Sequence, residues 1–403
     1  MSKRARAVRW GVPVAAVAVV AAAVGTGPVI AAVQGDPSLP DRTAQQLLAD
    51  MAGSWSSRKV PAMSGTVVET ASLGLPALPG LSGGGASALS LLSGSHQLKV
   101  WYGDEDRVRL MLPGEMSETD LIVNGDQVWL WDSAANTATH FTGHPGAATG
   151  SPVPLPSAAS PLPTALTPQH AAQEALRAAG GDTRITVAGD VTVAGRAAYQ
   201  VVLTPKTATS LVRDVRVAID GETLIPLRVQ VYAKGAAEPA FEVGFDSVTF
   251  SAPAPENFTF TPPAGAKVEE GRASAAAGHE ADKAREAADG TRIAGSGWDS
   301  VLVTSLPTAD AKGGSGASPA DGASGNGASP ANGAGGNGAS ADGASPASLL
   351  DTALRSATRV SGPWGSGRLL RTKLLSVLLT DDGRLVAGAV TPEALYKAAG
   401  AAR

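Results

Sequence analysis

The residues that could do catalytic chemistry are few and poorly placed for it. Gly80-Leu81-Ser82-Gly83-Gly84 matches the G-x-S-x-G pattern of an exposed nucleophilic serine. That serine needs a strand before it and a helix after it, whereas Ser82 lies among prolines and glycines. Gly333-Ala334-Gly335-Gly336-Asn337-Gly338 matches G-x-G-x-x-G, but without the strand and helix that make a phosphate cradle. The histidines at 96, 140, 144, 170 and 279 are dispersed. His140 and His144 are four apart, yet FTGHP is a strand end running into a turn, so a metal pair is not expected there. Asp104, Glu105 and Asp106 suggest calcium at first sight, but an acidic hairpin turn accounts for them. The sequence contains no P-loop lysine motif and no H-E-x-x-H, and Asn257-Phe258-Thr259 is a formal glycosylation sequon. Cysteine is absent, which excludes disulfides, thiolate metal sites, a cysteine nucleophile and a lipidated cysteine. No catalytic residue, cofactor or metal is expected, and the chain is read as a non-enzyme.

Composition points the same way. The net charge is −4, so no basic field marks a nucleic-acid partner. Lys3, Arg4, Arg6 and Arg9 precede an uncharged apolar run, residues 11–33. Such a run spans a bilayer core of ~30 Å and also resembles the apolar region of a signal peptide. Positive charge before it sends the remainder out of the cytoplasm. Residues 1–35 are therefore a signal peptide or a transmembrane anchor, and the body is extracytoplasmic, anchored to the cell membrane or secreted.

The body itself must be mainly sheet. DRTAQQLLADMA (41–52) has a helical period in Ala44, Leu47, Leu48 and Met51. From Gly65 to Phe260 the period is two. Leu98, Val100 and Tyr102 share a face; so do Val108, Leu110 and Leu112, with Arg107 and Arg109 opposite. Val215, Val217 and Ile219, then Leu227, Val229 and Val231, then Phe241, Val243 and Phe245 repeat the pattern. This alternation means antiparallel strands with one apolar face. Asn124-Gly125, Asp220-Gly221 and Ala194-Gly195 mark hairpins. Pro226 implies an edge strand or a bulge. The expected count is nine or ten strands in a meander. TPQHAAQEALRAAG, with Thr167 as cap and Pro168 first, is a helix, preceded by a Pro/Ala/Ser loop at 146–163. Residues 73–92 are apolar but broken by proline and glycine, as a greasy flap would be. Residues 313–348 repeat Gly-Ala-Ser and form a disordered linker. Beyond it, LLDTALRS reads as a helix. RLLRTKLLSVLLT and RLVAGAV read as two strands around Asp381-Asp382-Gly383, and a last helix opens at Thr391-Pro392. GWDSVLVTSL precedes the linker. With only these three strands in the C-terminal part, they are expected to complete the first sheet.

The fold class is thus mainly β with α: a curved antiparallel sheet, an open or half β-barrel, covered by a few helices. Trp101, Trp129, Trp131, Phe241 and Phe245, with Leu110, lie on that sheet. They are either plain core or the lining of an apolar cavity for acyl chains, with Leu73, Leu75, Leu78 and Leu81 of the flap as its lid. The sequence leaves these two readings open.

The succession WYGDEDRVRLML, LIVNGDQVWLWDSAANTATHF, TPQHAAQEAL, AGRAAYQVVLTP, VRVAIDGETLIPLRVQVYAKG, FEVGFDSVTF and NFTFTPPAGAKV resembles the outer-membrane lipoprotein carrier (LolA-like) superfamily in its actinobacterial form, a superfamily that includes RseB-like sensors of sigma-factor regulation. The resemblance covers about residues 41–268. It implies about eleven antiparallel strands closed on one side by helices, holding lipid or lipoprotein acyl chains without catalysis. The alternative it implies is an envelope-stress sensor acting on a membrane regulatory protein such as an anti-sigma factor. The implied division is 41–268 for the LolA-like domain, 269–312 for a helix and an added strand, 313–348 for the linker and 349–403 for the C-terminal strands and helix.

Overall fold

The computed structural model describes residues 38–56, 60–74, 93–114, 116–142, 167–178, 181–271, 291–305 and 357–401. The apolar N-terminal run, Ser82, His144, His279, flap residues 75–92 with Leu75, Leu78 and Leu81, the loop at 146–163, the linker at 313–348 and the LLDTALRS segment lie outside them. Among the described residues, no helix is long and apolar enough to cross a membrane.

A large sheet forms the first module. β1 (Met63–Ser72), β2 (Ser93–Asp104), β3 (Arg107–Pro113), β4 (Glu118–Asn124), β5 (Gln127–Asp132) and β6 (Thr137–Thr142) make an antiparallel meander. A second run contains β7 (Thr183–Val187), β8 (Val191–Val193), β9 (Arg196–Pro205), β10 (Val212–Asp220), β11 (Pro226–Ala233) and β12 (Phe241–Thr249). β12 returns to pair with β1, which joins the two runs. β13 (Lys267–Glu270) adds in parallel to the outer edge of β6. The result is a 13-stranded sheet, curved and not closed into a barrel. The count exceeds nine or ten because the short β7, and β13 after the proline-rich stretch, carry too little alternation to announce themselves.

Local chemistry sets the boundaries. Helix α1 (Ala44–Ser56) begins after Thr43, not at Asp41. The Thr43 hydroxyl accepts from Gln46 N (3.2 Å) and the Gln46 amide oxygen accepts from Thr43 N (2.9 Å), a reciprocal cap. Helix α2 (Pro168–Ala178) is capped by Thr167, whose hydroxyl accepts from His170 N. Gly125 has φ of 63° and takes the first of two turn positions, so glycine supplies the left-handed residue the β4–β5 hairpin needs. Pro226 lies not at an edge but at the first position of β11, opposite a register shift at Ala218–Ile219. There its missing N–H costs no ladder bond.

Apolar residues from seven strands define the inner face. Val67, Leu98, Leu110, Val201, Leu203, Val215, Val217, Ile219, Val229, Val243 and Phe245 are all buried on it. α1 and α2 cover part of this face, with Leu48, Met51 and Leu176 packed on Val201, Val217 and Ile219.

The C-terminal strands do not complete the first sheet. They build a second one: β14 (Thr291–Ala294), β15 (Val301–Ser305), β16 (Thr358–Gly362), β17 (Gly365–Arg371), β18 (Ser376–Thr380) and β19 (Arg384–Gly388), in the order β14-β15-β19-β18-β17-β16. Helix α3 (Pro392–Gly400) packs on one face, around Val303, Leu369, Leu378, Val386 and Leu395. The expected three strands become six. β14 and β16 are short and polar, and RLLRTKLLSVLLT is two strands. The Thr372 hydroxyl accepts from Leu374 N and Leu375 N and folds the chain back on itself. Six strands and a helix suffice for a separate core.

One buried charge ties the first module's hairpins together. The Asp220 side chain is 1% exposed and receives Arg196 Nε (2.5 Å), Thr223 N (2.8 Å) and the Thr223 hydroxyl (2.7 Å). Burial pushes this carboxyl up, but the hydrogen bonds from Arg196 and Thr223 and the Arg196 charge outweigh it and hold the group below the usual carboxylate range. A lowered folded value stabilises above the unfolded value near ~3.9, and that contribution is lost as pH falls through the folded one. Asp220→Asn should therefore cost about 2–3 kcal/mol at pH 7, the lower end for a buried pair because Arg196 keeps some water. In urea unfolding, the gap between parent and variant should shrink as pH drops below about 4. A gap that does not depend on pH would contradict this assignment.

Candidate functional site

The helices do not cover the whole inner face. Between the start of α2 and the sheet lies a cavity of about 200 Å³. Met63 of β1, Val100 and Tyr102 of β2, Val108 and Leu110 of β3 and Phe245 of β12 form its floor. Ile225 and Pro226 close one side; Thr167, Pro168 and Gln169 form the rim at the helix start. The floor residues share a face because cross-strand partners do: Met63 faces Tyr102, Val100 faces Leu110, and Tyr102 faces Val108. Burial, and then the charges of Glu105, Asp104 and Asp106, push the Tyr102 phenol up. It therefore stands at the cavity as a neutral hydroxyl.

Of the residues singled out in the sequence, Leu110 and Phe245 line this cavity. Phe241 is buried on the same inner face but deeper along β12, opposite Ala71. Leu73, at the end of β1, is buried in the main core, and its carbonyl accepts from Lys373 N (2.8 Å).

The three tryptophans lie on the other face. Trp101 pairs across the strands with Arg109, Arg109 with Ile122, Ile122 with Trp129, and Trp129 with His140. Trp131 lies next to Asp120 on that face. The proline-rich stretch after β12 crosses over them. Phe260 packs 5.4 Å from Trp129 and 6.0 Å from Trp131, and Phe258 is buried under a short 3₁₀ turn, Pro255–Phe258. Asp120 is buried in this layer and paired with Arg109, which also lies over the Trp101 ring. Burial raises the Asp120 carboxyl above its usual range, with Arg109 opposing. Trp131 and Ile122 are thus buried in a second, outer layer, with Trp101 and Trp129 half-buried beside them.

The polar candidates resolve as structure. The Asp104 carboxylate accepts from Arg107 (2.5 Å) and from Asp106 N, which makes the acidic cluster a turn. The His140 ring stacks on Trp129 at 4.3 Å, with Gln127 at 2.6 Å and Glu270 at 3.3 Å. Among the described residues no group of three metal-ligating side chains comes together. Sequence reasoning missed Met63, Val100, Tyr102 and Val108 as cavity residues. Their alternation carried the signal, since it puts them with Leu110 and against Trp101. Ile225, Pro226 and the start of α2 gave no signal, because only the tertiary fold brings them there.

No family model matches the chain, and no curated protein does. In fold it is similar to a chain of the Pseudomonas aeruginosa MucA/MucB complex, at 13% identity, 88% of this chain, 96% of that one and a TM-score of 0.39. It is also similar to a LolA superfamily protein from Nitrosomonas europaea, at 11% identity, 55% of this chain, 99% of that one and a TM-score of 0.22. A third similarity is to a putative outer membrane lipoprotein-sorting protein domain from Vibrio parahaemolyticus, at 12% identity, 53% of this chain, 96% of that one and a TM-score of 0.20.

The two faces are separable by mutation. Leu110→Trp puts its added volume into the cavity, so it should leave stability within about 1 kcal/mol and abolish uptake of a fluorescent fatty acid. Trp131→Ala should cost about 3 kcal/mol and leave uptake at the parent level. The reverse pattern, read by fluorescence titration and urea unfolding, would put the site on the outer face.

Proposed function

We propose that this chain is an extracytoplasmic, non-catalytic binding protein that holds the acyl chain of a lipid or lipoprotein in the cavity between α2 and the curved sheet. The observation that carries the reading is the apolar floor of Met63, Val100, Val108, Leu110 and Phe245, with only hydroxyl and amide groups at its rim. Such a lining binds hydrocarbon and offers it no nucleophile. At about 30 Å³ for a group the size of water, about 200 Å³ takes roughly six or seven methylenes. At ~0.8 kcal/mol each, they contribute about 5 kcal/mol, from which the entropy cost of association is subtracted. That is a reversible hold, suited to a carrier or a sensor. Native mass spectrometry with lipid extraction on the chain purified from a bacterial envelope tests it. Acylated molecules should accompany the parent and be missing from Leu110→Trp. A bare mass that stays unchanged after incubation with lipid would overturn the reading.

A second reading, a regulatory protein that docks on a membrane partner, is supported by the second module. The face of its sheet away from α3 carries Ile293, Leu302 and Leu370 in one row and Leu385 and Leu379 in the next, half-buried or exposed. A photo-crosslinking residue at Leu302 or Leu385 should trap a membrane protein in cells if this reading holds, and only self-products if it does not.

A further inference from the structure

The first sheet has two unlike ends. At one end lie the β2–β3 turn, the β4–β5 turn, the β8–β9 turn, the β10–β11 loop and the start of β1. The cavity opens there, because Met63, Tyr102, Val108, Ile225 and Pro226 all belong to strand ends or loops on that side. At the other end lie the end of β1, the β9–β10 loop and the start of β7, and there the second module docks. Leu211 N donates to Ala389 O (2.8 Å) and Thr391 N to Thr209 O (2.7 Å). The Asp299 carboxylate accepts from the Thr207 and Thr209 hydroxyls, Trp298 Nε1 donates to the Thr183 hydroxyl (2.7 Å), and Lys373 holds both Ser72 and Leu73.

The N-terminal segment arrives at the cavity end. Leu39 N donates to Asp190 Oδ2 (2.8 Å), and the Tyr199 hydroxyl donates to Pro40 O (2.9 Å). The Leu39 side chain lies so close to Gly221 that a Cβ there would meet Leu39 Cδ2 at 2.5 Å. These contacts fix where the preceding chain must leave. Between Val33, the last residue of the apolar run, and Ser38 are five steps of chain, which reach about 18 Å when fully extended.

We propose that the open end of the cavity faces the surface of the cell membrane, held there by this short tether, so that the cavity exchanges acyl chains with that bilayer while the second module points away from it. β1 runs from one end to the other through ten residues, so the second module stands off by about 33 Å more. The cavity end carries Asp104, Glu105, Asp106, Asp126 and Glu222 on its turns. Arg107 and Arg196 pair with Asp104 and Glu222 there, so these turns offer no free basic patch to anionic lipid, and proximity comes from the tether, which keeps the cavity at high effective concentration beside the bilayer. The proposal rests on the acyl-binding reading for its purpose, but not for its geometry.

The absence of cysteine makes the test direct. The full chain in liposomes of mixed zwitterionic and anionic phospholipid, labelled at Glu222→Cys or Glu238→Cys, is read by fluorescence quenching from headgroup-labelled lipid. Glu222 lies on the β10–β11 loop at the cavity end, and Glu238 on the β11–β12 connection at the other. The Glu222 label should be quenched several-fold more than the Glu238 label. Twenty Gly/Ser residues inserted after Asp36 should erase that difference while binding of a fluorescent fatty acid persists. Equal or reversed quenching in the parent, or loss of the labelled protein from the vesicles as a shortened soluble form, would overturn the proposal. Oriented quenching with no fatty-acid binding would leave the orientation standing and remove the acyl-binding reading instead.

Discussion

Among the described residues, everything in the first module depends on one mismatch: a thirteen-stranded sheet has an apolar inner face larger than the two short helices α1 and α2 cover. Strand twist accumulates across so many strands and makes a broad open sheet curl. Curling gathers the inner side chains toward one another but does not close the sheet, since β7 and β13 remain at its ends. The helices seal the concavity over Val201, Val217 and Ile219 of β9 and β10, near the β7 edge of the sheet. The β1–β3 side, together with Phe245, is left with the cavity. The cavity is therefore a consequence of sheet size and helix length, and Thr167, which fixes where α2 begins, sets its rim.

The outer face solves a different problem. An antiparallel sheet of this width can leave one face to water, and over β9–β12 it does, with Arg216, Gln230 and Glu242 pointing out. Over β3–β6 it does not. There the chain brings Phe260 across Trp129 and Trp131, sets Phe258 against Gly103 and Arg107, and ends the crossing by pairing β13 with β6. Asp120 and Arg109 are buried together in that layer, each lone charge being costly without the other. The crossing stretch thus converts an edge of the sheet into a second core and caps it with a parallel strand.

Much of this architecture was legible in the residues. Period-two alternation identified the long strands, Thr167-Pro168 the start of α2, and the glycine dipeptides the hairpins. What misled was treating aromatic content as evidence of a cavity. Trp101 alternates against Val100 and Tyr102 and so belongs with Arg109 on the outer face. The alternation puts the three tryptophans on the face away from the cavity and Val100, Tyr102 and Val108 on the face that lines it. The second module was hidden for another reason. Its edge strands TRIA and TRVSG are polar and short, and the fold inside RLLRTKLLSVLLT is made by the Thr372 hydroxyl rather than by glycine or proline. An apolar run interrupted by a side-chain-capped turn reads as one strand until its partners are known.

The way the two modules join bears on what the first can do. The contacts between them are backbone hydrogen bonds between loops, side-chain hydrogen bonds from Asp299, Trp298 and Lys373, and the packing of Leu374, Trp298 and Ala389 on the first module's core. None involves the cavity floor, so filling the cavity need not disturb the junction directly. Yet Lys373 grips Ser72 and Leu73 at the end of β1, and β1 is the strand on which the two halves of the first sheet meet. Met63, at the other end of β1, lines the cavity. One strand thus has the cavity at its first residue and the second module at its last.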